Sequence, residues 1–153
     1  MPIEYPKGIQ VSDVTLAGGT IAEHTAVREN VGIFDVSHLG KISVTGAGAK
    51  NYINTLITND LNRISAGQAQ YTLMCDDSGG VIDDLIVYEI TDSQLFLVPN
   101  AANCAEVEKR IKLKAPANLE VVNEHQGYGV LALQGPKSDE VLKKLGLSVS
   151  LEY

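Results

Sequence analysis

The segment Gln70-Tyr71-Thr72-Leu73-Met74-Cys75-Asp76-Asp77-Ser78-Gly79-Gly80-Val81-Ile82-Asp83-Asp84-Leu85-Ile86-Val87-Tyr88 constrains this chain most. Residues 81 to 88 are rich in β-branched and large apolar side chains, the composition of a half-buried or fully buried strand. Asp77-Ser78-Gly79-Gly80 has the chemistry of a hairpin turn, so the run ending at Cys75 should lie antiparallel to it. Two adjacent carboxylates interrupt the second strand. Successive strand residues face opposite ways, which puts Asp83 with Val81, Leu85 and Val87, and Asp84 with Ile82, Ile86 and Tyr88.

Alternation alone leaves open which of these faces is the core. A buried carboxylate without partners is costly, since even modest polar groups cost about 1 to 3 kcal/mol. An inward Asp therefore needs a partner or a cavity. Two readings stand side by side: an edge or turn-capping Asp in water, and a carboxylate that works in a site. Tyr71 lies on the strand antiparallel to the one carrying Asp84 if the turn falls at residues 77 to 80. An aromatic face beside an acid can hold a flat heterocycle, or can simply pack.

Outside this hairpin, residues 1 to 19 carry Pro2, Pro6, Gly8, Gly18 and Gly19 and read as an extended entry, with Ile9 to Leu16 a possible strand. Thr20-Ile21-Ala22-Glu23 fits a capping box, and the helix it opens should run to about Asn30 before Gly32. Ile33 to Val36 and Lys41 to Thr45 read as strands, with Ile42 and Val44 alternating against Lys41, Ser43 and Thr45. Ala49, Tyr52, Ile53, Leu56 and Ile57 keep helical spacing and predict a helix over 47–57.

Strands near 69–75, 81–90 and 95–98 form a meander that Pro99 ends. Ala102, Ala105, Val107 and Ile111 support a helix from Ala101 to Lys114, closed by Pro116, with basic residues toward its C-terminal end. Leu119 to Asn123 and Tyr128 to Leu133 are further strands. Pro136 falls at an expected first helical position before Val141, Leu142 and Leu145, and Gly146 is the stop. This order excludes a simple alternating β-α pattern and predicts an α+β fold, an antiparallel sheet with packed helices.

The chain has 153 residues, one domain's worth or one plus part of another, and a net charge of -7. With no basic run, binding to nucleic acid or to an anionic membrane is disfavoured. Cys75 and Cys104 lie in no zinc or disulfide pattern and read as reduced core thiols. No metal site is expected. No apolar run approaches the roughly 20 residues that span a bilayer, and the N-terminus lacks a leader pattern, so a cytoplasmic protein is expected.

No phosphate-binding glycine loop and no nucleophile elbow occur, and Ser37-His38 has no third partner for a hydrolytic triad. His38 reads as a turn or core histidine, and His24 and His125 as surface residues.

Five longer words carry a resemblance: Glu23-His24-Thr25-Ala26-Val27-Arg28, Gly32-Ile33-Phe34-Asp35-Val36-Ser37-His38-Leu39-Gly40, Leu56-Ile57-Thr58-Asn59-Asp60, Gly79-Gly80-Val81-Ile82-Asp83-Asp84-Leu85-Ile86-Val87-Tyr88 and Val98-Pro99-Asn100-Ala101-Ala102-Asn103. Together, and in this order, they resemble the glycine cleavage system T-protein family of tetrahydrofolate-dependent aminomethyltransferases. The resemblance runs the whole length of the chain. Because the family's proteins are more than twice as long, it implies that residues 1–153 are the N-terminal part of a folate-binding domain, incomplete here and with the family's later regions absent.

The resemblance further implies that Asp84 is the catalytic carboxylate and that Leu39, Tyr71, Ile86 and Asn100, together with Asp84, contact the folate, while Asp83 is structural. The co-substrate would be tetrahydrofolate and the partner the lipoylated H protein. In the family an aminomethyl group arrives as a thioether on the lipoyl arm, ammonia leaves, and the N5 amine of the folate captures the one-carbon unit. A fixed anion suits the iminium character that develops on the carbon and the folate amine.

Two departures qualify it. Pro99 stands where the family usually has an aliphatic residue, and the acidic and arginine groups that the family's later parts bring to the pterin and the glutamyl tail are missing. Weak folate binding and little activity of the chain alone are therefore expected. The alternatives are the folate domain of a dimethylglycine- or sarcosine-oxidising enzyme or demethylase, a non-catalytic folate-binding accessory protein of iron–sulfur assembly, and a standalone interaction module.

Overall fold

A computed structural model of the chain describes residues 19–147, which divide into two compact units, 36–130 and a second made of residues 19–35 and 131–147. The expected entry strand from Ile9 to Leu16 lies outside the described residues. Elements are α1 (Gly19–Glu29), β1 (Gly32–Asp35), β2 (Ile42–Thr45), α2 (Ala49–Asn54), a 3₁₀ turn (Leu61–Arg63), β3 (Ala69–Cys75), β4 (Val81–Thr91), β5 (Gln94–Val98), α3 (Cys104–Leu113), β6 (Glu120–Asn123), β7 (Leu131–Gln134) and α4 (Ser138–Lys144). The fold is α+β, as its strand and helix order implies.

In the 36–130 unit five strands form an antiparallel sheet in the order β3-β4-β5-β2-β6. Period-2 alternation settles on one face: Thr72 and Met74 of β3, Asp83, Leu85, Val87 and Glu89 of β4, Leu95 and Leu97 of β5, and Ile42 and Val44 of β2 are all buried. Ala49 and Ile53 of α2, Leu61, and Val107 and Ile111 of α3 complete that core. Each fully buried aliphatic side chain contributes about 1.5 to 3 kcal/mol, so this face decides the register. The opposite face, with Tyr71, Asp84, Ile86, Tyr88, Phe96 and Val98, is half-buried or exposed. On it the Tyr128 ring meets Phe96 edge-on at 5.7 Å.

The β3–β4 turn is built as its sequence implies. The Asp76 carbonyl accepts from Gly79 N at 3.0 Å, and its carboxylate oxygen Oδ1 accepts from Ser78 N, Ser78 Oγ and Gly80 N at 2.9, 2.6 and 2.9 Å. Gly79 takes a φ of 85°, a conformation that costs a side-chain-bearing residue energy. The pairing passes from Met74↔Asp83 to Cys75↔Val81, a bulge that leaves Ile82 unpaired.

Two helices, α2 and α3, are shorter than their periodicity implies, for identifiable reasons. α2 ends at Asn54 because that side chain turns to accept Leu61 N at 2.6 Å. α3 starts at Cys104 rather than Ala101, because Asn100 and Asn103 commit their side chains to Asp83. Pro136 sits in the turn before α4 rather than in its first position, whereas Gly146 does end the helix, with Leu147 N donating to Leu142 O at 2.9 Å.

Lys41, which strand alternation sets against Ile42 and Val44, is fully buried like them. Its Nζ donates to Ser37 O at 2.7 Å and Leu39 O at 3.0 Å, so the stem packs inside while the ammonium closes the turn at 37–39. Strand alternation cannot register a lysine whose head is satisfied by carbonyls a few residues away.

In the other unit β1 pairs antiparallel with β7, separate from the five-stranded sheet. Lys137 joins it to the end of α1, its N donating to Asn30 O at 2.9 Å and its Nζ to Asn30 Oδ1 at 2.7 Å.

Candidate functional site

The β4 alternation resolves the two carboxylates. Asp83 points into the core and is 1% exposed, while Asp84 lies on the open face, half-buried. Register then assembles the rest. Tyr71 pairs with Ile86 and Leu73 with Asp84, so Tyr71 is the diagonal neighbour of Asp84 and within reach of a long aromatic side chain. Its hydroxyl donates to Asp84 Oδ2. On the other side Ile86 pairs with Val98, and two further residues along β5's direction bring Asn100 opposite Asp84.

Asn100 joins both carboxylates. Its Nδ2 lies 2.7 Å from Asp84 Oδ1, 2.9 Å from Asp84 O and 3.0 Å from Asp83 Oδ1, and its backbone N donates to Asp83 Oδ2 at 2.9 Å. Asn103 Nδ2 adds a bond of 2.7 Å to Asp83 Oδ1. Sequence reasoning missed Asn103 as a member of this group; its only signal was a polar side chain near the start of an apolar-periodic helix. The buried Asp83 thus has the partners that its position demands.

The Tyr71 hydroxyl, with smaller help from the backbone N–H of Asp84 and then from Asn100, holds the Asp84 carboxyl below the ordinary aspartate value. The same bond to Asp84 raises the Tyr71 phenol, which stays protonated and donating at neutral pH. Donors from β3 and from the segment just after β5 therefore fix an ionised carboxylate beside Tyr71, which is 59% exposed. Such a surface can lay a flat, partly apolar heterocycle over Tyr71 and Ile86 while an anion meets a cationic or N–H edge.

Tyr71→Phe tests this electrostatic arrangement. A depressed carboxyl contributes stability above the unfolded value and loses it as pH falls through the folded one. The variant is therefore expected to bring Asp84 up toward 3.8 and to lose stability relative to wild type at neutral pH, with the difference vanishing in acid. Carbon-13 NMR titration of the Asp84 carboxyl checks it; an unmoved midpoint counts against the Tyr71 bond.

Four of the expected site residues, Tyr71, Asp84, Ile86 and Asn100, come together. Leu39, half-buried in the turn at 37–39, makes no hydrogen bond to them among the described residues, but it precedes Gly40, whose N donates to Pro99 O at 2.8 Å next to Asn100. Pro99 is buried, and a Cβ on Gly40 would lie 2.7 Å from its Cγ, so glycine is what lets these segments touch.

Among the described residues neither His38 nor His125 makes a hydrogen bond to Tyr71, Asp84, Ile86 or Asn100, while His125 Nδ1 lies 3.3 Å from Leu39 O. His24 and His125 are exposed, and so is His38, in its turn. His38, Cys104 and His125 line a hollow of about 370 Å³ that includes none of the five expected residues. Cys104 is free, and burial pushes its thiol up, away from the reactive thiolate. Among the described residues no group of three or more His, Cys, Asp and Glu is placed to hold a metal ion, and no helix is long and apolar enough to cross a membrane.

The family model described as the GCVT N-terminal domain matches residues 1–152. An aminomethyltransferase of Mycobacterium avium (strain 104) is 56% identical over 135 residues, covering 88% of this chain and 37% of that protein. One from Parafrankia sp. (strain EAN1pec) is 54% identical over 154 residues, covering all of this chain and 39% of that protein. The crystal structure of the glycine cleavage system aminomethyltransferase T from Bartonella henselae superposes with a TM-score of 0.78 at 29% identity, over 86% of this chain and 36% of that one. The chain therefore spans less than two fifths of the length of these relatives, and it belongs to the GCVT N-terminal domain family.

Proposed function

We propose that this chain is the N-terminal, folate-facing segment of a tetrahydrofolate-dependent aminomethyltransferase of the glycine cleavage system. Such an enzyme takes a one-carbon unit from the aminomethyl-lipoyl arm of an H protein, passes it to tetrahydrofolate and releases ammonia in the cytoplasm. The observation that carries the proposal is the hydrogen-bonded group of Tyr71, Asp84 and Asn100 beside Ile86, on an open sheet face in a chain of this family.

The chemistry assigns roles to these side chains. Tyr71 and Ile86 offer the flat apolar surface against which a pterin ring stacks. Asp84 is a preoriented anion for the positive charge that appears as the one-carbon unit joins the folate amine, and in a site closed to water that charge interacts more strongly. Asn100 orients Asp84 and offers the carbonyl of its carboxamide to an N–H of the heterocycle. Leu39 borders the folate from the turn that Lys41 closes.

Tetrahydrofolate titrated onto the nitrogen-15-labelled chain is expected to shift resonances of Leu39, Tyr71, Asp84, Ile86 and Asn100. The dissociation constant should be weak, about 0.1 to 1 mM, because an open face forfeits much of the buried contact that a closed pocket supplies. Shifts elsewhere, with these residues silent, would sink the assignment.

A further inference from the structure

We propose that Asp83 is a positioning residue: from the core side of β4 it fixes the Asn100 carboxamide in the one orientation that holds Asp84 and leaves Asn100 Oδ1 open to a ligand. The ligand's identity rests on the folate-binding reading, whereas the positioning itself does not.

Each hydrogen-bond partner of the Asp83 carboxyl oxygens is an N–H: Asn100 N, Asn100 Nδ2 and Asn103 Nδ2, at 2.9, 3.0 and 2.7 Å. No ion pair among the described residues includes Asp83. At 1% exposure it has no water to turn toward, so its acceptors are a fixed reference inside the fold. Asp84, on the half-exposed face, is held by the donors Tyr71 and Asn100 rather than by burial.

Asn100 Nδ2 carries two hydrogens and faces three oxygens, of Asp83 Oδ1, Asp84 Oδ1 and Asp84 O. Turning the carboxamide over would set Oδ1 against three acceptors. Both carboxylates therefore hold the amide the same way round, and the buried one does so whatever Asp84 is doing. Asn100 Oδ1 accepts no hydrogen bond among the described residues, which leaves it for a donor on a bound molecule. Adjacent acids on opposite faces of one strand thus divide the work: the outward one meets the ligand and the inward one orients the amide between them.

Asp83→Asn replaces one acceptor by an NH₂ that confronts an N–H of Asn100 or Asn103, which leaves the Asn100 carboxamide held from the Asp84 side alone. The experiment is side-chain amide exchange of Asn100 in the 153-residue chain by nitrogen-15 NMR, with tetrahydrofolate titrated in parallel. In wild type the Asn100 side-chain hydrogens are expected to exchange about tenfold more slowly than those of the exposed Asn51, and Asp83→Asn should remove that protection. Affinity for tetrahydrofolate should fall about tenfold in the same variant.

Fast exchange of Asn100 in wild type overturns the proposal, as does protection unchanged in a folded Asp83→Asn. If that variant gives no dispersed spectrum, Asp83→Ser, which removes the carboxylate without setting an NH₂ against those donors, is judged by the same exchange measurement. Protection lost as expected, with wild type indifferent to tetrahydrofolate, supports the positioning role and overturns only the folate reading.

Discussion

Asp84→Asn, in an enzyme of the relatives' full length that carries this segment, is expected to lower kcat about 100- to 1,000-fold and to leave the tetrahydrofolate Kd within about threefold. The substitution removes charge and spares shape. Asp84 Oδ1 receives Asn100 Nδ2 at 2.7 Å and Oδ2 receives the Tyr71 hydroxyl. In the variant the amide oxygen can face Asn100, and its NH₂ can donate to the Tyr71 oxygen, since a phenol both donates and accepts. The ring surface of Tyr71 and Ile86 is untouched, so ground-state binding should persist. Lost, in the role proposed for Asp84, is an anion for positive charge that arises only during transfer, and an interaction confined to the transition state shows in kcat. Steady-state kinetics with calorimetry separate the two quantities. Wild-type turnover in this variant, or loss confined to Kd, would remove Asp84 from its proposed role.

The largest expected effect on stability lies away from the site. Lys50→Met should destabilise the 36–130 unit by about 3 to 5 kcal/mol, because it strands the buried carboxylate of Glu89. Lys50 Nζ lies 2.8 Å from Glu89 Oε2, an ionic contact, and donates to Oε1 and to Ile64 O at 3.0 Å each. The Glu89 side chain is 1% exposed, so water cannot replace the lost ammonium. The double variant Lys50→Met/Glu89→Leu removes both charges and should recover most of the loss. Urea unfolding of wild type and both variants checks this; a midpoint unchanged in Lys50→Met would show that the ion pair does not hold this part of the fold.

Much of the architecture was legible from local chemistry. The turn at Asp77-Ser78-Gly79-Gly80 announces the β3–β4 hairpin, alternation marks β2, and Gly146 marks the end of α4. These signals act within a few residues, where dihedral preferences and side-chain periodicity operate directly. Periodicity overshot where a polar side chain had distant business: Asn54 with Leu61, and Asn100 and Asn103 with Asp83, each shorten a helix that its apolar spacing would extend.

The candidate site was legible in a different way. Pattern reasoning narrowed it to Asp83 or Asp84 and put Tyr71 across the hairpin, while the preference for Asp84 came from resemblance rather than from the residues. The choice of face is a property of the whole sheet, set by which side buries Leu85 and Val87 against α2 and α3.

By itself the sequence determined the α+β class, the central hairpin and the presence of two opposed carboxylates on one strand. Tertiary structure alone decided that Asp83 goes inward onto Asn100 and Asn103, that Lys41 is buried on carbonyls, that Lys50 meets Glu89, and that β1 pairs with β7. Local propensity depends on neighbours in the chain. The partner that satisfies a buried polar group is selected by packing among residues far apart in it, and no pattern within a single strand or helix encodes that choice.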